Sequence, residues 1–95
     1  MCRVVNRLKE KEDVYIGRGS IWGNPYKLEN DTAAERKQVI QLYSDYFWDN
    51  VKSGQFTIAM LLELDGKRLG CFCKPKLCHG DIIVAAVNWA KTLGV

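Results

Sequence analysis

The stretch from Gly80 to Leu93 constrains the fold most. Ile82, Ile83, Val84, Ala85, Ala86, Val87, Trp89 and Ala90 leave little of it polar. A helix that is apolar nearly all round belongs inside a protein, so this one is expected to be the element on which the others pack. The chain has 95 residues, enough for one domain over residues 1–95 with a modest core. Hydrophobic residues make up 47% and charged residues 26%. That balance excludes disorder, a collagen-like repeat and a coiled coil.

Two further helices are expected. Thr32 and Glu35 have the spacing of a capping box. After them Val39, Leu42, Tyr43, Tyr46, Phe47 and Val51 recur at helical spacing. The pattern predicts an amphipathic helix from about Ala33 to Lys52, stopped near Gly54. Phe56 to Leu64 reads as a short helix through Ile58, Leu61 and Leu62, although Asp65-Gly66 is also a hairpin signal. Strands are expected at Cys2 to Leu8, at Val14 to Ile16 and at Arg68 to Cys73. In the last, Leu69, Cys71 and Cys73 would share one face. The fold class is α/β or α+β, a small single-layer sheet of about three strands packed with about three helices.

No basic segment followed by an apolar one opens the sequence, and no apolar run reaches about 18 residues. The expected location is the cytoplasm, with no membrane partner. Thiols there are usually reduced, which argues against a disulfide framework for the four cysteines.

The segment Gly17-Arg18-Gly19-Ser20-Ile21-Trp22-Gly23-Asn24-Pro25 follows a strand directly. Loops at strand ends are where α/β proteins place ligands. Glycines let backbone amides approach an anion, and Arg18 offers a planar fork for phosphate or carboxylate. Gly19 belongs to that backbone cradle, Ser20 and Asn24 supply polar groups, and Trp22 offers a face for stacking. Neither the P-loop nor the dinucleotide spacing is present. A turn-rich loop with its tryptophan in the core is the competing reading.

Three cysteines and the single histidine fall within Cys71-Phe72-Cys73-Lys74-Pro75-Lys76-Leu77-Cys78-His79. Three readings stand. The first is zinc, with Cys73, Cys78 and His79 as ligands and Cys2 as a fourth if its strand lies beside that of Cys71; the spacing is poor for a tetrahedral site. The second is a reactive or ligand-binding site where the last helix begins. There His79 would be an acid or base, Cys78 a nucleophile, and Asp81 a group that orients His79. The third is burial, with cysteine as a small apolar side chain and Asp81 as a helix cap. Cys71 reads as core, and the thiols read as separate in role.

Taken together, Tyr15-Ile16-Gly17-Arg18-Gly19-Ser20, Trp22-Gly23-Asn24-Pro25-Tyr26, Gly66-Lys67-Arg68-Leu69-Gly70-Cys71-Phe72-Cys73 and Cys78-His79-Gly80-Asp81 resemble the domain of unknown function 4326 family of bacterial and phage proteins. The resemblance covers essentially the whole chain. Phe72 stands where the family pattern favours Trp, and Gly19 where Pro is also familiar. The resemblance implies that the two motifs form one site, with no activity attached to the family.

The leading functional expectation is a site for a phosphate-bearing or nucleotide-like small ligand; whether a reaction follows is left open by the sequence, and group transfer or hydrolysis is the chemistry such a site would carry. The alternatives are a structural zinc module for protein or nucleic-acid contact, and a phage-type interaction protein that binds a host target through the helix carrying Tyr43, Tyr46 and Trp48. A formal charge of +3, with scattered basic residues, gives only weak support to nucleic acid as a partner.

Overall fold

A computed structural model describes residues 2–17, 19–26, 30, 32–72 and 78–93. The elements among them run β1 (Arg3–Asn6), β2 (Val14–Tyr15), α1 (Ala33–Ser53), α2 (Ile58–Glu63), β3 (Arg68–Cys71) and α3 (Gly80–Lys91). The three strands form a parallel sheet in the order β1-β3-β2. Parallel neighbours cannot be joined by a tight turn. The chain therefore leaves the sheet after β2 and returns to β3 through α1 and α2. Leu69, Gly70 and Cys71 of the central strand are buried, as expected for a strand paired on both edges.

Helices cover one face of the sheet. A Cβ on Gly80 would lie 2.7 Å from Val4 Cγ2 and 2.8 Å from Ile16 Cδ1. The missing side chain lets the first turn of α3 rest directly on β1 and on the end of β2. The polar connection between β1 and β2 covers the other face. A Cβ on Gly70 would lie 2.5 Å from Glu12 Cβ. Glu12 is ion-paired with Arg7, whose guanidinium sits 4.5 Å from the Tyr15 ring centroid and 5.4 Å from that of Phe72.

β1 is shorter than expected because Asn6 turns the chain. Its side-chain oxygen accepts from Leu8 N–H at 2.9 Å, and its carbonyl accepts from Lys9 and Glu10, each at 2.9 Å. At α1, Thr32 Oγ1 accepts from Glu35 N–H at 3.1 Å. Glu35 reaches back to Asn30 N–H instead of Thr32, so the cap is half of the expected box. Gly54 ends the helix at φ 86°, a left-handed conformation in which glycine is unstrained. α2 forms as expected, capped by Thr57, which accepts from Met60 N–H at 3.2 Å.

α1 buries Val39, Tyr43 and Phe47, whereas Leu42 stays 40% exposed. α3 buries Gly80, Ile83, Ala86, Val87 and Ala90. It is therefore buried along one broad face and not all round, with Ala85 and Trp89 outside. Trp89 packs edge-on against Trp48 at 5.4 Å between ring centroids. That contact gives Trp48 of α1 a place against a neighbouring helix. No helix of the described residues is long and apolar enough to cross a membrane.

A polar clamp lies where β2 and β3 begin. Asp13 accepts from Arg68 Nε and Nη2, each at 3.1 Å, and from Arg68 N–H at 2.9 Å. Hydrogen bonds from the Arg68 side chain, and then from its backbone, hold the Asp13 carboxyl at about 2, below its ordinary 3.8. A depressed folded-state pKa means the clamp's contribution is complete above about pH 3.8 and is lost as pH falls through about 2. Carboxyl carbon NMR should place the Asp13 midpoint near 2, and Arg68→Gln should return it toward 3.8. A wild-type midpoint at the ordinary value would show that the clamp does not hold in solution.

Candidate functional site

The two sequence motifs meet. His79, at the N-terminal boundary of α3, places Nε2 2.8 Å from the carbonyl oxygen of Ile16, just after β2. A carbonyl only accepts, so Nε2 carries the proton and donates. Neutral His79 then has a bare Nδ1, which lies 3.8 Å from Cys78 Sγ. The ring is held by the edge of Tyr43, 5.0 Å away between centroids. Tyr43 is itself fixed by its hydroxyl, which donates to the Trp22 carbonyl at 2.7 Å. Burial pushes the Tyr43 phenol strongly up, so it stays a neutral donor.

A cleft of about 380 Å³ opens beside this junction, outside the carboxyl ends of β2 and β3. In parallel sheets that is the usual place for a ligand. The strand-β2 side supplies Tyr15, Gly17, Asn24 and Tyr26. α1 supplies Arg36 and Val39, β3 supplies Cys71 and Phe72, and His79 forms part of the floor. Tyr26 and Phe72 are 38% and 54% exposed; the Tyr26 ring packs edge-on with Tyr46 at 6.4 Å. Tyr15, Tyr26, Arg36 and Phe72 were not singled out by sequence reasoning. Arg36 sits one turn into a helix with no motif around it. Phe72 and Tyr26 lie inside the motifs, where the neighbouring polar residues drew the ligand roles.

The expected site residues divide. Asn24 and His79 line the cleft. Asn24 also fixes the loop, since its side-chain oxygen accepts from Tyr26 N–H at 2.9 Å. Ser20 donates its hydroxyl to the Gly17 carbonyl at 2.7 Å and so closes a turn. Gly19 is exposed, at φ 93°. Arg18 and Cys73 lie outside the described residues.

Trp22 corrects the expectation of a stacking platform. It is 5% exposed, with its ring 4.8 Å from Phe56 and 6.1 Å from Phe47. The aromatic face of α1 needs a cover, and Trp22 supplies it from the loop. Its edge borders a separate hollow lined also by Val14, Ile21 and Lys67.

The cysteines also differ from expectation. Cys71 and Cys78 are both buried, and their sulfurs lie 2.9 Å apart. The end of β3 and the start of α3 thus bring together two thiols that had read as separate. A nucleophilic Cys78 facing the ligand is not what the fold presents, because its thiol is turned inward to Cys71. Asp81 Oδ2 accepts from Cys78 N–H at 3.4 Å, a contact of the helix-capping kind. The carbonyl of Ile16 takes the His79 nitrogen that an orienting carboxylate would have claimed. Cys2 precedes Arg3, which pairs with Arg68, while Cys71 pairs with Asn6. Four residues of strand separate the two positions by roughly 13 Å, too far for a shared metal. Among the described residues no group of three His, Cys, Asp or Glu side chains is placed to hold a metal ion.

Residues 3–89 match the family described as Domain of unknown function (DUF4326). The chain is also 49% identical over 88 residues to an uncharacterized 12.4 kDa protein of the nrdA-td intergenic region of Enterobacteria phage T4. That match covers 93% of this chain and 79% of the phage protein. No solved structure matches. The chain belongs to the DUF4326 family.

Proposed function

We propose, on the premise of that membership, that the cleft binds one phosphate-bearing, nucleotide-like ligand. The observation that carries this reading is the wall of the cleft. Two exposed aromatic residues, Tyr26 and Phe72, line the same space as the half-buried Arg36. A ring on an aromatic face and an anion on a guanidinium are the two halves of a nucleotide. Arg18 follows Gly17 in sequence and is the second cation of this reading. A volume of about 380 Å³ lies at the small end of ligand sites, which suits a mononucleotide better than a dinucleotide.

His79 serves this site as a fixed wall. Its Nε2 is committed to Ile16 and its Nδ1 faces Cys78. We therefore favour holding a ligand over group transfer or hydrolysis with His79 as the acid or base.

Thermal unfolding with AMP, ribose 5-phosphate and inorganic phosphate tests the reading. AMP should raise Tm more than ribose 5-phosphate, and phosphate least. Arg36→Ala should weaken AMP by about tenfold or more, the loss of one hydrogen bond to a charged group. No shift with any of the three at millimolar concentration would overturn the proposal.

A further inference from the structure

Cys71 and Cys78 have a property that ligand binding does not use. Their sulfurs touch at 2.9 Å in the thiol state. Cys78 Sγ also accepts from Gly80 N–H at 3.4 Å and lies 3.8 Å from His79 Nδ1. An amide donor stabilises a thiolate at Cys78, and the bare Nδ1 is a base for its proton. The lock of Nε2 on Ile16 keeps that nitrogen turned inward. Cys71 lines the cleft, so a small reagent entering there meets the pair at Cys71. Cys2 sits at the other end of the sheet, and its thiol is pushed up by burial and by the Asp65 carboxylate, which makes it less reactive.

We infer that Cys71 and Cys78 form a redox-active thiol pair that a peroxide converts to a disulfide. The proton of Cys71 passes to Cys78, whose own proton passes to His79 Nδ1. The Cys71 thiolate attacks one peroxide oxygen, the O–O bond breaks, and the leaving hydroxide takes the proton now on Cys78 to become water. Cys71 is then a sulfenic acid. The Cys78 thiolate attacks Cys71 Sγ, the S–O bond breaks, and the departing hydroxide takes the proton held on His79. Two thiols lose two electrons and two hydrogens, and one hydrogen peroxide becomes two waters. The product would link the end of β3 to the start of α3 beside the cleft. The inference does not depend on which ligand the cleft takes.

Peptide mapping of the full chain tests this. The folded protein is treated with one equivalent of hydrogen peroxide, quenched with acid and alkylated. Cleavage after Phe72 and Lys76 places Cys71, Cys73 and Cys78 on separate peptides. The expected result is a Cys71–Cys78 cross-linked pair, two hydrogens lighter than the thiols, in most chains. It should be reversed by dithiothreitol and retained in Cys73→Ser. His79→Gln should slow its formation severalfold. A cross-link that contains Cys73 in place of Cys71 would overturn the inference. So would full alkylation of Cys71 and Cys78 in the folded chain under conditions that oxidise the urea-unfolded chain.

Discussion

Trp22→Ala should cost about 3–5 kcal/mol of folding stability. The indole is packed against both Phe47 and Phe56 and is almost fully buried. Its removal deletes apolar area and leaves a cavity, because α1 and the segment before α2 are held by other contacts. The damage spreads to the site, since the carbonyl of Trp22 anchors Tyr43, and Tyr43 supports His79. In a domain of this size the cost is a fall in Tm of about 12 °C or more. Urea unfolding measures it. A change within about 0.5 kcal/mol, as for an exposed residue, would mean that Trp22 is a stacking surface after all.

Gly80→Leu should be the other severe change. The Cβ position is already occupied by the methyl groups of Val4 and Ile16, and three more carbons have to enter the same gap. The substitution forces α3 off the sheet, with a cost of about 3 kcal/mol, the upper range for overpacking. Leucine is a far better helix former than glycine, by nearly 1 kcal/mol, so propensity alone predicts stabilisation. The two effects have opposite signs and the close approach is the larger. The same shift would lengthen the His79–Ile16 hydrogen bond and disturb the cleft floor. Unfolding within 1 kcal/mol of wild type would show that α3 does not seat on the sheet through Gly80.

The helices were legible because their signals are local. Thr32, the 3.6-residue spacing through Phe47, and Gly54 lie within one stretch of chain, and so does the apolar run of α3. The sheet was legible only as strands. β2 has two residues, and its place beside β3 depends on a crossover of more than fifty residues that no short-range pattern encodes. Residue type misled at Trp22, where an aromatic in a glycine-rich loop looks like a ligand face. What decides its role is the aromatic surface that Phe47 and Phe56 present on other parts of the chain. Spacing misled at Cys71 and Cys78. A strand end and a helix start that lie close in sequence can come to the same point, so residues seven apart can touch. Arg36 and Tyr26 gave no signal, because they matter through position on a cleft wall and not through a motif.

That the glycine-rich loop and the start of α3 lie together was implied only by the family resemblance, and the contact between His79 and Ile16 joins the two segments. It places the carboxyl ends of two parallel strands, a cation and two exposed rings around one space. The binding proposal rests on that arrangement.

Amide chemical-shift mapping with AMP tests it most directly. The account predicts dose-dependent shifts confined to Gly17, Asn24, Tyr26, Arg36, Phe72 and His79, which surround the cleft. Shifts grouped at Val14, Ile21 and Lys67 around the second hollow, or no shifts at millimolar AMP, would contradict it.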